Sequence, residues 1–160
     1  MSKSNRGSSK STKSRRRTKP LDLPTARRML PLIERIVTDI LRDQKELNRF
    51  SFEQEGLDRD RHGLTWPERE RRYAVQGEVT RLQSRLDEEV KELDTLGTVL
   101  MNRGTGLVGF PTIVNGKPAY FSWQLGETGV NFWHFDGEDT RRPIPPHWFD
   151  ESPVRLASHR

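Results

Sequence analysis

Three acidic or basic side chains lie close together near the end of the sequence: Glu127, His134 and Asp136, within "WQLGETGVNFWHFD". A histidine with two carboxylates can serve as a general acid-base pair or as part of a metal shell. The spacing argues otherwise. Glu127 and His134 fall at opposite ends of one strand segment, and a lone histidine with scattered acids lacks zinc-ligand spacing. The simpler reading is a hydrogen-bonded histidine at the edge of the core, a turn glutamate and a strand-end aspartate. "HFDGED" at 134–139 resembles a calcium loop only superficially, because the twelve-residue pattern with its terminal bidentate glutamate is absent.

Arg141 and Arg142, just before Pro143, add a second kind of chemistry. Paired guanidinium groups can clamp a carboxylate or phosphate, and beside Trp133 and His134 they would form a small anionic-ligand site. Trp133, His134, Arg141 and Arg142 are therefore the candidate ligand-binding set, with solvated loop-anchoring arginines as the plain reading. No nucleophile-base pair, phosphate loop or metal cluster is recognisable, so no catalytic residue and no cofactor is assigned. The chain has no cysteine, which excludes thiolate catalysis and cysteine-ligated metal centres and suits a reducing cytoplasm.

Charge is divided unevenly along the 160 residues. The net charge is +5, but residues 1–20 carry eight basic side chains and no acid, leaving 20 basic against 23 acidic residues elsewhere. Lys10, Lys13, Arg15, Arg16, Arg17 and Lys19 are the candidate phosphate contacts to nucleic acid or the ribosome. No aromatic is interleaved with them, so a base-stacking platform is not expected. The segment lacks apolar bulk, which predicts a disordered basic tail over 1–21. Neither a signal-peptide core nor a membrane span is expected.

The elements that would position these groups follow from periodicity. From Thr25, Met29, Leu30, Ile33, Ile36, Val37, Ile40, Leu41 and Leu47 recur at three and four, predicting an amphipathic helix that Pro31 starts or kinks. Residues 50–64, charged and holding Gly56 and Gly63, read as a connection. "TWPE" opens a second helix with Thr65 as N-cap and Glu68 completing a capping box, and Gly97 closes it. Its stripe is Tyr73, Val79, Leu82, Leu86, Val90, Leu93 and Leu96. Two such helices predict an antiparallel, coiled-coil-like hairpin, which could also dimerise or dock a protein partner.

Beyond Gly97 the period becomes alternating. Asn115-Gly116 marks a tight hairpin turn and Gly126 to Gly129 a four-residue turn, predicting a three-stranded antiparallel meander over 107–136. The first turn pairs Phe110 with Phe121, Val108 with Trp123 and Gly109 with Ser122. The second pairs Trp123 with Phe132, Phe121 with His134 and Ser122 with Trp133. Trp133 then lies on the outer face over Gly109 and Ser122, and His134 at the inner edge. A loop one residue longer or shorter exchanges the two sets. "PIPPHWF" at 143–149 could fold back over the outer face. The predicted fold class is α+β, a long helical hairpin packed on a small three-stranded meander, with the domain at 22–145 and a C-terminal extension at 146–160.

"LMNRGTGLVGFPTIVNGKPAYFSWQLGETGVNFWH", followed by "RRPI", resembles the bacterial domain of unknown function numbered 2203. The resemblance covers roughly residues 22–145. It rests on the glycine-to-"FP" strand at Gly106 to Pro111, "W-x-LGE" at Trp123 to Glu127, Trp133 with His134, and Arg141 to Pro143. It implies a helical hairpin joined to a short sheet and assigns no activity. The sequence departs from the family pattern after His134, where "FDGEDT" replaces a glycine-aromatic-small stretch.

Overall fold

The computed structural model describes residues 19–150. Asp22 caps the first helix, its carboxylate accepting from the Thr25 N–H at 2.7 Å, and Pro24 sits in the first turn, where a missing N–H costs nothing. Helix α1 runs Leu23–Arg59 and carries Pro31 without ending there. The expected connection over 50–64 is thus mostly helical. Phe50 and Leu57 pack on the second helix, and this tertiary contact outweighs the weak propensity of Gly56. Helix α2 spans Trp66–Thr95. The Glu68 carboxylate reaches back to the Thr65 N–H at 2.7 Å and hydroxyl at 2.9 Å, which fixes where the helix starts. Gly97 ends it with φ +82°, and the Thr98 N–H and hydroxyl both donate to the Leu93 carbonyl. At 1.5 Å per residue the helices are about 55 and 45 Å long.

Their seam is built from Ile33, Ile36, Val37, Ile40, Asp43 and Phe50 on α1 and Val75, Val79, Leu82, Leu86 and Leu93 on α2. Tyr73, expected in this stripe, is 70 % exposed. Val75 is the true first seam residue, and two residues of helix rotate Tyr73 to the opposite side.

The sheet has five strands rather than three, in sequence order: β1 Val99–Asn102, β2 Leu107–Val114, β3 Lys117–Gln124, β4 Phe132–Phe135 and β5 Arg142–Pro143. All neighbours are antiparallel. β1 is one arm of a hairpin turned by residues 103–106, with a register irregularity at Met101. β5 adds a short outer edge, and the Ile144 N–H bonds to the Asn131 carbonyl.

The β2-β3 register is the expected one, with Phe110 opposite Phe121 and Val108 opposite Trp123. Asn115 takes φ 52° and Gly116 φ 73°, the left-handed pair that the tight turn demands. The β3-β4 register is shifted by one: Phe121 faces Trp133, Tyr120 faces His134 and Ser122 faces Phe132. Trp133 and His134 therefore trade the faces expected for them. The cause lies in residues 125–131, which leave the sheet instead of forming a four-residue turn. The Leu125 N–H bonds to the Gly106 carbonyl, and Glu127 is held both by its neighbours Trp123 and Gln124 and by the distant Arg141.

One face of the sheet joins the proximal halves of both helices in a single core, with Trp123, Phe110, Phe121 and Val108 fully buried against Ile33, Val37, Ile40 and Leu93. Gly106 permits the approach. It adopts φ +70°, and a Cβ there would lie 2.8 Å from Val37 Cγ1. Two further contacts close the base: the Leu21 N–H donates to the Pro111 carbonyl, and a 3-10 helix, Pro146–Phe149, lies against α1 and β4. The distal hairpin has its own small core of Phe50, Val75, Val79 and Leu82, with no sheet residue in it. It forms an arm extending past the sheet.

Candidate functional site

The outer face of the sheet carries most of the chemistry expected from sequence. Arg141 donates to Ser122 Oγ at 2.9 Å and forms a two-pronged pair with the Glu127 carboxylate, Nη2 to Oε2 being 2.9 Å. Glu127 also accepts from the Gln124 N–H, while its carbonyl accepts from Trp123 Nε1 at 3.1 Å. The guanidinium rests on the Phe132 ring. Burial alone would raise the Glu127 pKa, but Arg141 and the Gln124 N–H outweigh it and hold the carboxyl below its ordinary range. Arg141 commits its Nε to Ser122 and both Nη atoms to the Glu127 carboxylate, so it anchors the loop.

His134 is buried beside this pair, its ring stacked on Tyr120 at 5.6 Å. Its Nδ1 meets no hydrogen-bond partner among the described residues. Burial lowers its pKa and the Arg141 charge lowers it further, against the opposing pull of Glu138, Asp136 and Asp139. The ring is thus neutral near pH 7. Gly109, expected to leave a slot for an indole, is covered by Met101 and Tyr120 instead.

Trp133 and Arg142 lie on the other face. Trp133 packs with Phe121 in the core and is covered by the protein's own Trp148, ring centres 5.2 Å apart. Arg142 lies over the Trp133 and Phe135 rings and pairs with Glu138 at 3.0 Å. "PIPPHWF" does fold back, but onto this side, with Phe149 beneath Arg27 of α1. The four candidate ligand residues are therefore split between two faces. Lys10, Lys13, Arg15, Arg16 and Arg17 lie outside the described residues; Lys19 is exposed just ahead of α1.

Two features went unread in the sequence. The first is a carboxyl pair between the helices. Asp43, 2 % exposed on α1, faces Glu89 on α2, with Arg85 Nη2 at 2.9 Å from Asp43 Oδ2 and Arg42 Nε at 3.3 Å from Oδ1. Burial, the hydrogen bond to Asp43 and its charge push Glu89 up to about 7. Glu89 therefore keeps its proton in mildly acidic solution. The pair sits where the sheet-backed core gives way to the arm's own core. No group of three or more potential metal ligands occurs among the described residues.

The second is the arm's surface. Phe52, Trp66 and Tyr73 are 76, 66 and 70 % exposed, and all three belong to the part of the hairpin that the sheet does not reach. The helical wheel could have found them: they sit opposite the seam set by Phe50 and Val75.

The model of one protein family, described as an uncharacterized conserved protein (DUF2203), matches residues 19–144. The chain belongs to that family. The DUF2203 match takes in the described elements through β5 and ends before the 3-10 helix. No curated protein and no solved structure matches the chain. Among the described residues no helix is long and apolar enough to cross a membrane.

Proposed function

We propose that this DUF2203 chain is a non-enzymatic interaction protein whose helical arm meets a macromolecule, while the basic residues before α1 add contact with nucleic acid or the ribosome. The carrying observation is the arm itself. Its two helices are locked by their own core and by Arg71-Glu53 and Arg72-Asp58 ion pairs, yet three large aromatic rings point to solvent. Exposed aromatics on a rigid support are characteristic anchors of macromolecular contacts. The tail's contribution rests on composition alone: clustered lysine and arginine with no acid attract phosphate without reading sequence. A small-ligand site is less well supported, because Arg141 is committed to Glu127 and Trp133 to Trp148.

The test is site-specific photocrosslinking in the source cells. A photoreactive phenylalanine analogue at position 52 or 73 should give macromolecular adducts, and the same group at Ile113, an exposed apolar position on the sheet, should not. Arm positions that give no adduct above Ile113 would overturn the reading.

A further inference from the structure

The side of α2 that points away from α1 carries exposed residues at an unbroken four-three spacing: Trp66, Glu70, Tyr73, Gly77, Thr80 and Ser84. This is the seam spacing of a coiled coil, and no other part of the described chain covers it. Both rings, Trp66 and Tyr73, lie in its first half, and the small residues Gly77, Thr80 and Ser84 make up its second. Turned end over end about residue 75, the series matches itself: Trp66 meets Ser84, Glu70 meets Thr80 and Tyr73 meets Gly77. Each large side chain faces a small one, and each layer pairs the two kinds of seam position, as antiparallel helices require.

Gly77 fits the same pairing. Within one chain a Cβ there would meet nothing within 4 Å, so the position is open to a large side chain from outside. A tyrosine ring from another copy would fill it.

We infer that the outward face of α2 binds the same face of a second copy of this chain, antiparallel and two-fold symmetric about residue 75. The flanking positions are compatible with this arrangement. Arg69 falls beside Gln83, Gln76 beside Gln76, Ala74 beside Ala74 and Pro67 beside Arg81, with no like charges opposed. Two aromatics from each copy, with their flanks, would bury about 1,000 Å², the lower range for a specific dimer, so association in the micromolar range is expected. The inference deepens the proposed role of the arm and rests on it: one of the arm's partners is the chain itself.

Sedimentation of the full chain from about 1 to about 200 µM tests it. A monomer-dimer equilibrium is expected, at least tenfold weaker in Gly77→Arg and unchanged in Ile113→Arg. All the positions involved are exposed, so both variants should melt as the parent does. Orientation is read by disulfide formation, which has no background in a chain without cysteine. Glu70→Cys and Thr80→Cys chains should cross-link when mixed and far less when separate. A monomer throughout the range, or equal cross-linking of the separate and mixed chains, overturns the pairing. Arm adducts to other molecules would then still uphold the interaction reading, whereas the loss of both would sink the two together.

Discussion

The two halves of the helical hairpin are made of the same kind of helix and differ in what surrounds them. In the sheet-backed half the large aromatics are inside: Trp123, Phe110 and Phe121 are buried against Ile33, Val37 and Ile40. In the arm the core holds one aromatic, Phe50, with two valines and a leucine, while Phe52, Trp66 and Tyr73 lie outside. A hairpin needs only a narrow apolar seam to stay folded, so a segment that stabilised only itself could leave its outer faces polar. Large rings kept in water on the arm, while the base buries its own, are the difference on which the proposed contact role of the arm rests.

This contrast can be broken at four places. Trp123→Ala removes the fully buried ring at the centre of the base and should cost about 4 kcal/mol, lowering the melting temperature of the whole chain. Leu82→Ala in the arm core should cost about 3 kcal/mol. Its effect should be local: amide exchange should accelerate in the distal hairpin and stay slow in β2 and β3. If exchange rose equally everywhere, the two cores would be one unit.

Arg141→Ala leaves Glu127 without its partner and should cost about 2 kcal/mol. Arg141→Lys should recover little of it, because an ammonium cannot reproduce the two-pronged geometry. The smallest effect lies at the junction of the halves. Glu89 titrates near 7 in the folded chain and near its ordinary 4.5 when unfolded, so the folded state holds the extra proton between those values. Stability from this group is complete below about pH 4.5 and falls as pH rises through 7. Glu89→Gln should therefore stabilise by about 1 kcal/mol at pH 8, a figure reduced for solvent screening, and by nothing at pH 4. His134 works in the opposite direction. Its depressed pKa contributes stability above about pH 6.5 that is lost in acid, so the Glu89→Gln comparison is best made by chemical denaturation at each pH.

The sequence disclosed what is enforced locally. Asn115-Gly116 sets the β2-β3 register through two left-handed residues, and Thr65 with Glu68 sets the start of α2 through hydrogen bonds three residues apart. What it concealed depends on distant partners. The turn after β3 depends in part on Arg141 reaching fourteen residues back to Glu127, and no property of Gly126 or Gly129 reveals that. One residue of shift there moved Trp133 into the core and His134 to the outer face, dividing the expected ligand set. The Asp43-Glu89 pair was hidden for a related reason, since an acid within a charged helix looks solvated until the second helix is laid beside it. The exposed aromatics were within reach, because Val75 rather than Tyr73 continues the seam.

Every strand of the sheet pairs with its neighbour in sequence, and the two helices are joined by a six-residue turn. Most closures in this chain are therefore short, and short closures form quickly because little chain entropy is lost in making them. The hairpin and the meander can each take shape as they leave the ribosome, in the order in which they are made. The exceptions join the start of α1 to the sheet: Val37 packs beside Gly106, Leu21 meets Pro111, and Trp148 and Phe149 reach the base from beyond β5. A ribosome-bound chain stopped before residue 146 should therefore hold a formed arm on a base that lacks the Trp148 and Phe149 contacts.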